Sequence, residues 1–76
     1  MNKIRRKALR DIMEQLEALK DSLELLQSEE EDYRDNMPEN LQGSEKYETA
    51  DTAISNMEDA VSNLEEAICS IEAAME

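Results

Sequence analysis

The sequence predicts an all-α fold, an antiparallel two-helix coiled-coil hairpin that we expect to dimerise into a four-helix bundle. Apolar residues recur at alternating spacings of three and four along two long stretches, which is the pattern of a coiled-coil seam. The only proline and the only glycine both fall between the two stretches, and the chain has two tyrosines but no Phe or Trp. Its 76 residues allow one domain, residues 1–76.

The first helix is expected over about residues 2–33. Asn2 suits the N-cap, because its side chain can accept a hydrogen bond from a free backbone N–H in the first turn. Like-charge repulsion in the acidic run 29–32 is expected to fray the end of the helix. Its seam follows the three-four register and is predicted to consist of Leu9, Ile12, Leu16, Leu19, Leu23, Leu26 and Tyr33, with Glu30 as the one polar residue in that register.

Residues 34–44 are expected to connect the two helices. Pro38 fits the first position of a short helical turn, where no backbone N–H is needed. Gly43 fits the C′ position of that turn, which favours a left-handed backbone. Ser44 is the predicted N-cap of the second helix.

The second helix is expected over about residues 45–75. Its predicted seam consists of Tyr47, Ala50, Ile54, Met57, Val61, Leu64, Ile68, Ile71 and Met75. Antiparallel pairing matches the two seams without a slip, since paired residue numbers sum to 80 from Leu9–Ile71 through Tyr33–Tyr47. The same register predicts that Lys20 and Arg34 face acids of the second helix, namely Asp51, Glu58 and Glu65.

A second stripe of small residues on the second helix favours self-association. A hairpin of this size has no disulfide or metal to stabilise it, so oligomerisation is the remaining route. Small side chains let helices approach closely, and asparagines can hydrogen-bond across the joint; the alternative is that alanine serves only as a good helix former. The predicted interface consists of Ile4, Ala8, Ala18, Leu25, Ala53, Asn56, Ala60, Asn63, Ala67 and Ala74. A homodimer is the favoured partner arrangement.

The charge of the chain is strongly negative and unevenly distributed. The formal net charge is −12; residues 1–10 carry five cations and no acid, and residues 11–76 carry all 20 acids against three cations. Such a surface disfavours direct nucleic-acid binding. The acids either keep the protein in solution or form a partner face, for which the candidates are Asp51, Glu58, Glu65 and Glu66.

Two groups of residues are candidates for binding an anion or a nucleotide. The basic cluster of Arg5, Arg6 and Arg10 either pairs with the acidic end of the second helix or binds a phosphate at the helix N-terminus. At the other end, Tyr33 and Tyr47 either close the coil as its last layer while polar groups cap the turn, or they form a recognition tip together with Arg34.

Catalysis is not expected. The chain has no histidine, and its single cysteine, Cys69, has no base near it in the pattern. No metal-ligand spacing and no phosphate loop is present, so no cofactor and no metal site are predicted. The sequence contains no apolar run of transmembrane length, and no apolar stretch of the signal-peptide type follows the basic N-terminal residues. We therefore expect a cytoplasmic location.

The segment RDNMPENLQGSEKYE, residues 34–48, carries a resemblance. With the rest of the chain it resembles small acidic helical-hairpin proteins of gut-bacterial phages and prophages. The resemblance implies a phage accessory role and no particular catalytic residues. The resulting hypothesis is a non-enzymatic binding protein that inhibits a host defence protein through an acidic helical surface or the loop tip. The alternatives are an oligomeric sponge for a nucleotide signal and a purely structural assembly module.

Overall fold

A computed structural model describes residues 1–76 as a helical hairpin. Helix α1 spans Lys3–Asp35, a 3₁₀ turn spans Glu39–Leu41, and helix α2 spans Glu45–Met75. The two long helices lie antiparallel against each other, and the Cα atoms extend over 60 × 14 × 12 Å. The all-α hairpin predicted from the sequence is confirmed, and the molecule is a rod with the turn at one end and both termini at the other.

Both helices begin at the expected caps. The Asn2 side chain accepts a hydrogen bond from the backbone N–H of Arg5 at 2.8 Å. The Ser44 hydroxyl accepts one from the backbone N–H of Tyr47 at 3.4 Å, and the same hydroxyl donates to the carbonyl of Leu41. Ser44 therefore fixes both the start of α2 and its connection to the preceding turn.

Helix α1 continues two residues further than the sequence suggested, to Asp35. The acidic run 29–32 does not end it, because the groups that follow stabilise its last turn. Asn36 donates twice to the Asp32 carbonyl, from its backbone N–H at 3.0 Å and from its side chain at 2.7 Å. Arg34 adds a positive charge at the helix C-terminus, where the helix dipole favours a cation.

The turn differs in detail from the expectation. Pro38 precedes the 3₁₀ turn rather than opening it, and its carbonyl accepts from the Leu41 N–H at 2.9 Å. Gly43 follows the Gln42 C-cap and so occupies the predicted C′ position, but its φ is not positive, and the left-handed backbone that this position favours is absent. A Cβ atom at Gly43 would meet nothing within 4 Å.

The Ser44 cap gives a first stability prediction. We expect Ser44→Ala to lower the free energy of unfolding by about 1 kcal/mol, because the first turn of α2 loses its side-chain acceptor. Ser55 is the matched control, since it is exposed in the middle of α2. Ser55→Ala should raise stability by a few tenths of a kcal/mol through helix propensity. Urea denaturation followed by circular dichroism measures both, and equal effects of the two changes would contradict the assigned cap.

The seam of α2 lies where the pattern predicts. Ala50, Ile54 and Ile68 are the three buried residues of the chain. The remaining seam residues are half-buried against α1, namely Tyr47, Met57, Val61, Leu64, Ile71 and Met75. This helix therefore presents the predicted face to its neighbour over its whole length.

Helix α1 is rotated about its own axis relative to the prediction. Leu9, Leu16 and Leu23 face α2 as expected. The positions between them that are half-buried are Met13, Lys20, Gln27 and Arg34, each one residue later than predicted. The residues predicted for those layers are largely on the surface instead: Ile12 is 48% exposed, Leu19 61%, Leu26 55% and Tyr33 47%.

The rotation is accompanied by polar contacts between the two helices. It brings Lys20 within 3.7 Å of Glu65 and Arg34 within 2.7 Å of Asp51. It also lets the Arg6 Nε donate to the carbonyl of Met75 at 2.9 Å, where α2 ends. The pairing of four apolar layers through Ile12, Leu19, Leu26 and Tyr33 is therefore wrong, although the antiparallel register of the leucine layers remains compatible with the burial.

Candidate functional site

The hairpin has two long faces of opposite character. On one side, Glu24 and Glu31 of α1 share a groove with Glu58 and Glu65 of α2. We call this side, with Lys20 and Arg34 at its ends, the acidic face. On the other side, large apolar residues of α1 lie beside alanines of α2. We call these residues the apolar stripe, and they are Ile12, Leu19, Leu26, Tyr33, Ala53, Ala60 and Ala67.

The acidic face is built by a heptad repeat across the two helices. Positions 34, 27 and 20 of α1 lie opposite positions 51, 58 and 65 of α2, one heptad apart at each step. At the first step, Arg34 bonds to Asp51 at 2.7 Å. At the last step, Lys20 lies 3.7 Å from Glu65 and 3.8 Å from Glu24. Both cations therefore pair with acids as the sequence predicted.

The middle step has no cation. Position 27 is a glutamine, which donates to Glu31 of its own helix at 3.1 Å rather than across to Glu58. Glu58 consequently has no ion-pair partner, in contrast to the prediction for it. The groove around it has a volume of about 380 Å³ and is lined by four glutamates. The centre of this face therefore carries an uncompensated negative charge.

Arg34 is held by two carboxylates at the turn end of this face. The hydrogen bonds that its guanidinium donates to Asp35, at 3.0 Å, and to Asp51 raise the pKa of Arg34 above the ordinary value. A raised pKa of a cation contributes stability at all pH values below the unfolded pKa, and that contribution is lost only as the pH rises through the folded pKa. For an arginine, the contribution would be lost only above pH ~12. Its ion pairs are thus constant across the physiological range.

The four acids predicted as a partner face are not equivalent. Glu58 and Glu65 line the groove, while Asp51 is engaged with Arg34 at its end. Glu66 is exposed and lies beside Cys69 in a separate recess toward the outer side of α2. Sequence reasoning missed Glu24 and Glu31 on α1. The heptad register could have indicated them, because Glu24 follows the predicted cation Lys20, and Glu31 follows Gln27, by one helical turn.

The basic N-terminal cluster does not form one site. Arg6 is half-buried and donates to the Met75 carbonyl. Arg5 precedes Ile12 by one heptad and so lies in line with the apolar stripe, whereas Arg10 precedes Glu17 and Glu24 on the acidic side. None of the three arginines makes an ion pair with the acidic end of α2. The start of α1 is instead joined to the end of α2 by the Arg6 guanidinium at the Met75 carbonyl. The helix dipole favours a cation at this C-terminal position.

The predicted recognition tip is divided between the two faces. Tyr33 lines an open groove of about 590 Å³ on the apolar side, together with Lys46, Thr49 and Ala53. Arg34 points to the acidic side, and Tyr47 is half-buried between the helices. These three side chains therefore do not converge on one ligand position.

The rotation of α1 changes the composition of the candidate self-association surface. The small and amide residues of α2 lie along the apolar side, as the periodicity predicted. They are Ala53, Asn56, Ala60, Asn63, Ala67 and Ala74. On α1, however, Ile4, Ala18 and Leu25 fall on the outer side of the helix, with Ile4 82% and Leu25 62% exposed. Ala8 is also exposed, between this outer side and the stripe. Sequence reasoning missed Ile12, Leu19 and Leu26 on this face because it assigned them to the seam.

Other chemistry finds little support in the arrangement. No group of histidine, cysteine or acidic side chains is placed to hold a metal ion. The Cys69 thiol is free and exposed. Neither long helix has an apolar stretch that would let it cross a bilayer. Comparisons of the chain with protein-family models, with curated proteins and with solved structures found no match.

Proposed function

We propose that this protein is a non-enzymatic accessory binding protein whose acidic face docks on a basic surface of another protein. Segment 34–48 carries the resemblance to phage and prophage proteins. In that context the partner would be a host protein that the binding inhibits. The observation that carries the proposal is the groove at Glu58, where four glutamates from both helices line one surface and glutamine occupies the cation position.

We call positions 20, 27 and 34 of α1 the cation ladder. The informative feature of this surface is that position 27 of the ladder carries no cation. Acids spread for solubility alone need no particular register. Here the steps on both sides of Gln27 are neutralised by Lys20 and Arg34, and the middle step is left negative. A basic side chain from a partner would complete the ladder by pairing with Glu58. Electrostatic complementarity of this kind chiefly accelerates association and sets specificity, and it weakens with salt.

The non-enzymatic part of the proposal rests on the residue inventory. The chain contains no histidine, and its one thiol lies exposed. The nucleotide-sponge hypothesis has less support, because Arg6 and Arg34 are engaged within the hairpin and Tyr33 faces away from Arg34. A purely structural assembly module is the second candidate function, favoured by the exposed apolar stripe.

A single charge in the groove tests the proposal. The probe is a fluorescent decalysine peptide, whose binding is followed by anisotropy at low and moderate salt. Gln27→Lys supplies the missing cation, so we expect it to weaken binding about tenfold or more by neutralising Glu58. Gln15→Lys is the matched control, since Gln15 is exposed on the same helix away from the acidic face and its substitution changes the net charge equally.

The two variants separate a local surface from overall charge. Equal weakening by Gln15→Lys and Gln27→Lys would refute a dedicated acidic face, as would native binding that does not change with salt. A variant with a disrupted apolar stripe could lose function in host cells while Gln27→Lys has no effect there. That outcome would favour the assembly module.

The same substitution should also stabilise the fold. A lysine at position 27 completes the ladder with Glu58, so we expect the free energy of unfolding to rise by a few tenths of a kcal/mol at low salt. The gain should shrink in 1 M NaCl, where surface charges are screened. Urea denaturation at both salt concentrations measures this, and a fall in stability would contradict the facing of positions 27 and 58.

A further inference from the structure

We propose that the apolar stripe is the interface of a homodimer in which two hairpins pack face to face with their long axes antiparallel. The two-fold axis crosses the rod at the level of Leu19 and Ala60. This inference concerns the face opposite to the acidic groove and does not depend on the proposed function.

The α1 residues of the stripe form an apolar surface that the hairpin itself does not cover, whereas Ala53, Ala60 and Ala67 of α2 are half-buried. Leu19 is 61% exposed, Leu26 55% and Ile12 48%, whereas only three residues of the whole chain are buried. These side chains repeat every seven residues and form one continuous row on α1. With the seam they give α1 an apolar arc wider than one neighbour can cover, as in helices that face the core of a bundle. Helix α1 therefore has room for a second packing partner.

The pattern of the stripe is complementary to itself. On α1 the heptad row that contains the stripe runs from Arg5 through Ile12, Leu19 and Leu26 to Tyr33, so Leu19 is its centre. On α2 the corresponding row runs from Lys46 through Ala53, Ala60 and Ala67 to Ala74, so Ala60 is its centre. A two-fold axis at this level places Ile12 of one copy against Leu26 of the other. The same axis brings Ala53 against Ala67, where small side chains let the two α2 helices approach closely.

Charge decides the relative direction of the two copies. At the termini, residues 1–10 carry five cations and residues 70–76 carry two acids, a net side-chain charge of +3. At the turn end, residues 29–48 carry eight acids and two cations, a net charge of −6. An antiparallel dimer brings the +3 end of each copy to the −6 end of the other. A parallel dimer would bring like charges together at both ends.

The dimensions are sufficient for a stable dimer. The face runs along a rod of 60 × 14 Å in Cα extent. A surface of that length and width is of the order of the ~800 Å² that each partner buries in a standard-size interface. Asn56 and Asn63 lie at the rim of this face and approach each other across the two-fold level, which offers polar contacts around an apolar centre.

Mass in solution is the first test. We expect light-scattering chromatography of the native chain to give a dimer. Leu19→Glu places two like charges at the two-fold axis and should raise the dimer dissociation constant on the order of 10³-fold, since both copies carry the change. Leu25→Glu is the matched control, because Leu25 is 62% exposed but lies on the outer side of α1, and this variant should remain dimeric. Ala60→Glu with Ala67→Glu should dissociate the dimer from the α2 side.

A native monomer, a trimer or a larger ring overturns the proposal. So does a dimer that survives Leu19→Glu, or one that Leu25→Glu dissociates equally.

Cysteine cross-linking tests the direction of packing and does not depend on a destabilising charge. In a Cys69→Ser background, Leu19→Cys meets its own copy at the two-fold axis and should form a disulfide-linked dimer on mild oxidation. Leu26→Cys is the control: its copy lies 14 residues further along an antiparallel helix, about 21 Å away, beyond the ~7 Å Cα separation that a disulfide spans. Ready cross-linking at position 26 with none at position 19 overturns the antiparallel dimer.

Discussion

Ile54→Ala is expected to lower the free energy of unfolding by about 2–4 kcal/mol. Ile54 is 3% exposed, the lowest value in the chain, and it lies in the layer that α2 presents to α1 near the turn. Truncation removes apolar contacts and leaves a cavity in an interface that has few other buried residues. Because the hairpin has only three buried residues, we expect the loss to leave much of the population unfolded at room temperature. Urea denaturation followed by circular dichroism is the measurement.

Ile4→Ala is the matched control for this change. Ile4 is 82% exposed on the outer side of α1, so removing the same atoms should change stability by no more than about 0.5 kcal/mol. Similar losses at positions 4 and 54 would mean that the seam of α2 is not the core of the hairpin.

Ala50→Leu is expected to destabilise the hairpin by about 1–3 kcal/mol through overpacking. Ala50 is 4% exposed and lies close to Glu30 and Tyr33, where the helices converge on the turn. A leucine side chain there would have to push α1 and α2 apart. Such a separation would lengthen the 2.7 Å contact between Arg34 and Asp51, the residue that follows Ala50.

Ala73→Leu adds the same atoms on an exposed position of α2 and should be close to neutral. The shift in denaturation midpoint relative to that control gives the packing contribution. An Ala50→Leu variant as stable as the native chain would contradict close packing at this level.

Most of the fold could be predicted from the sequence because the determining signals are local. The Asn2 and Ser44 caps need only a side chain and the N–H three residues later, and both are observed. The seam of α2 could be read from periodicity because its large apolar residues form a single narrow row. The cross-helix pairs Lys20–Glu65 and Arg34–Asp51 followed from antiparallel register alone.

The rotation of α1 could not be predicted from periodicity, because Leu9, Leu16 and Leu23 can form a seam with either of two neighbouring rows of residues. One row continues through Ile12 and Leu19, and the other through Met13 and Lys20. Hydrophobicity favours the first row. The observed choice accompanies contacts between distant residues, such as Arg6 with the end of α2. The rotation also changes which residues of α1 lie on each candidate surface. For this reason the α2 half of the apolar side was predicted and the α1 half was not.

The hydrogen bond from Arg6 to Met75 joins residues 69 positions apart in the chain, whereas the contacts at the turn join near neighbours. The entropic cost of closing a loop grows with the length of chain between the two residues. Folding of this rod should therefore start beside the turn and proceed layer by layer toward the termini. In the folded protein, transient opening should occur in the reverse order, with the terminal end separating first and the layer at Ile54 last.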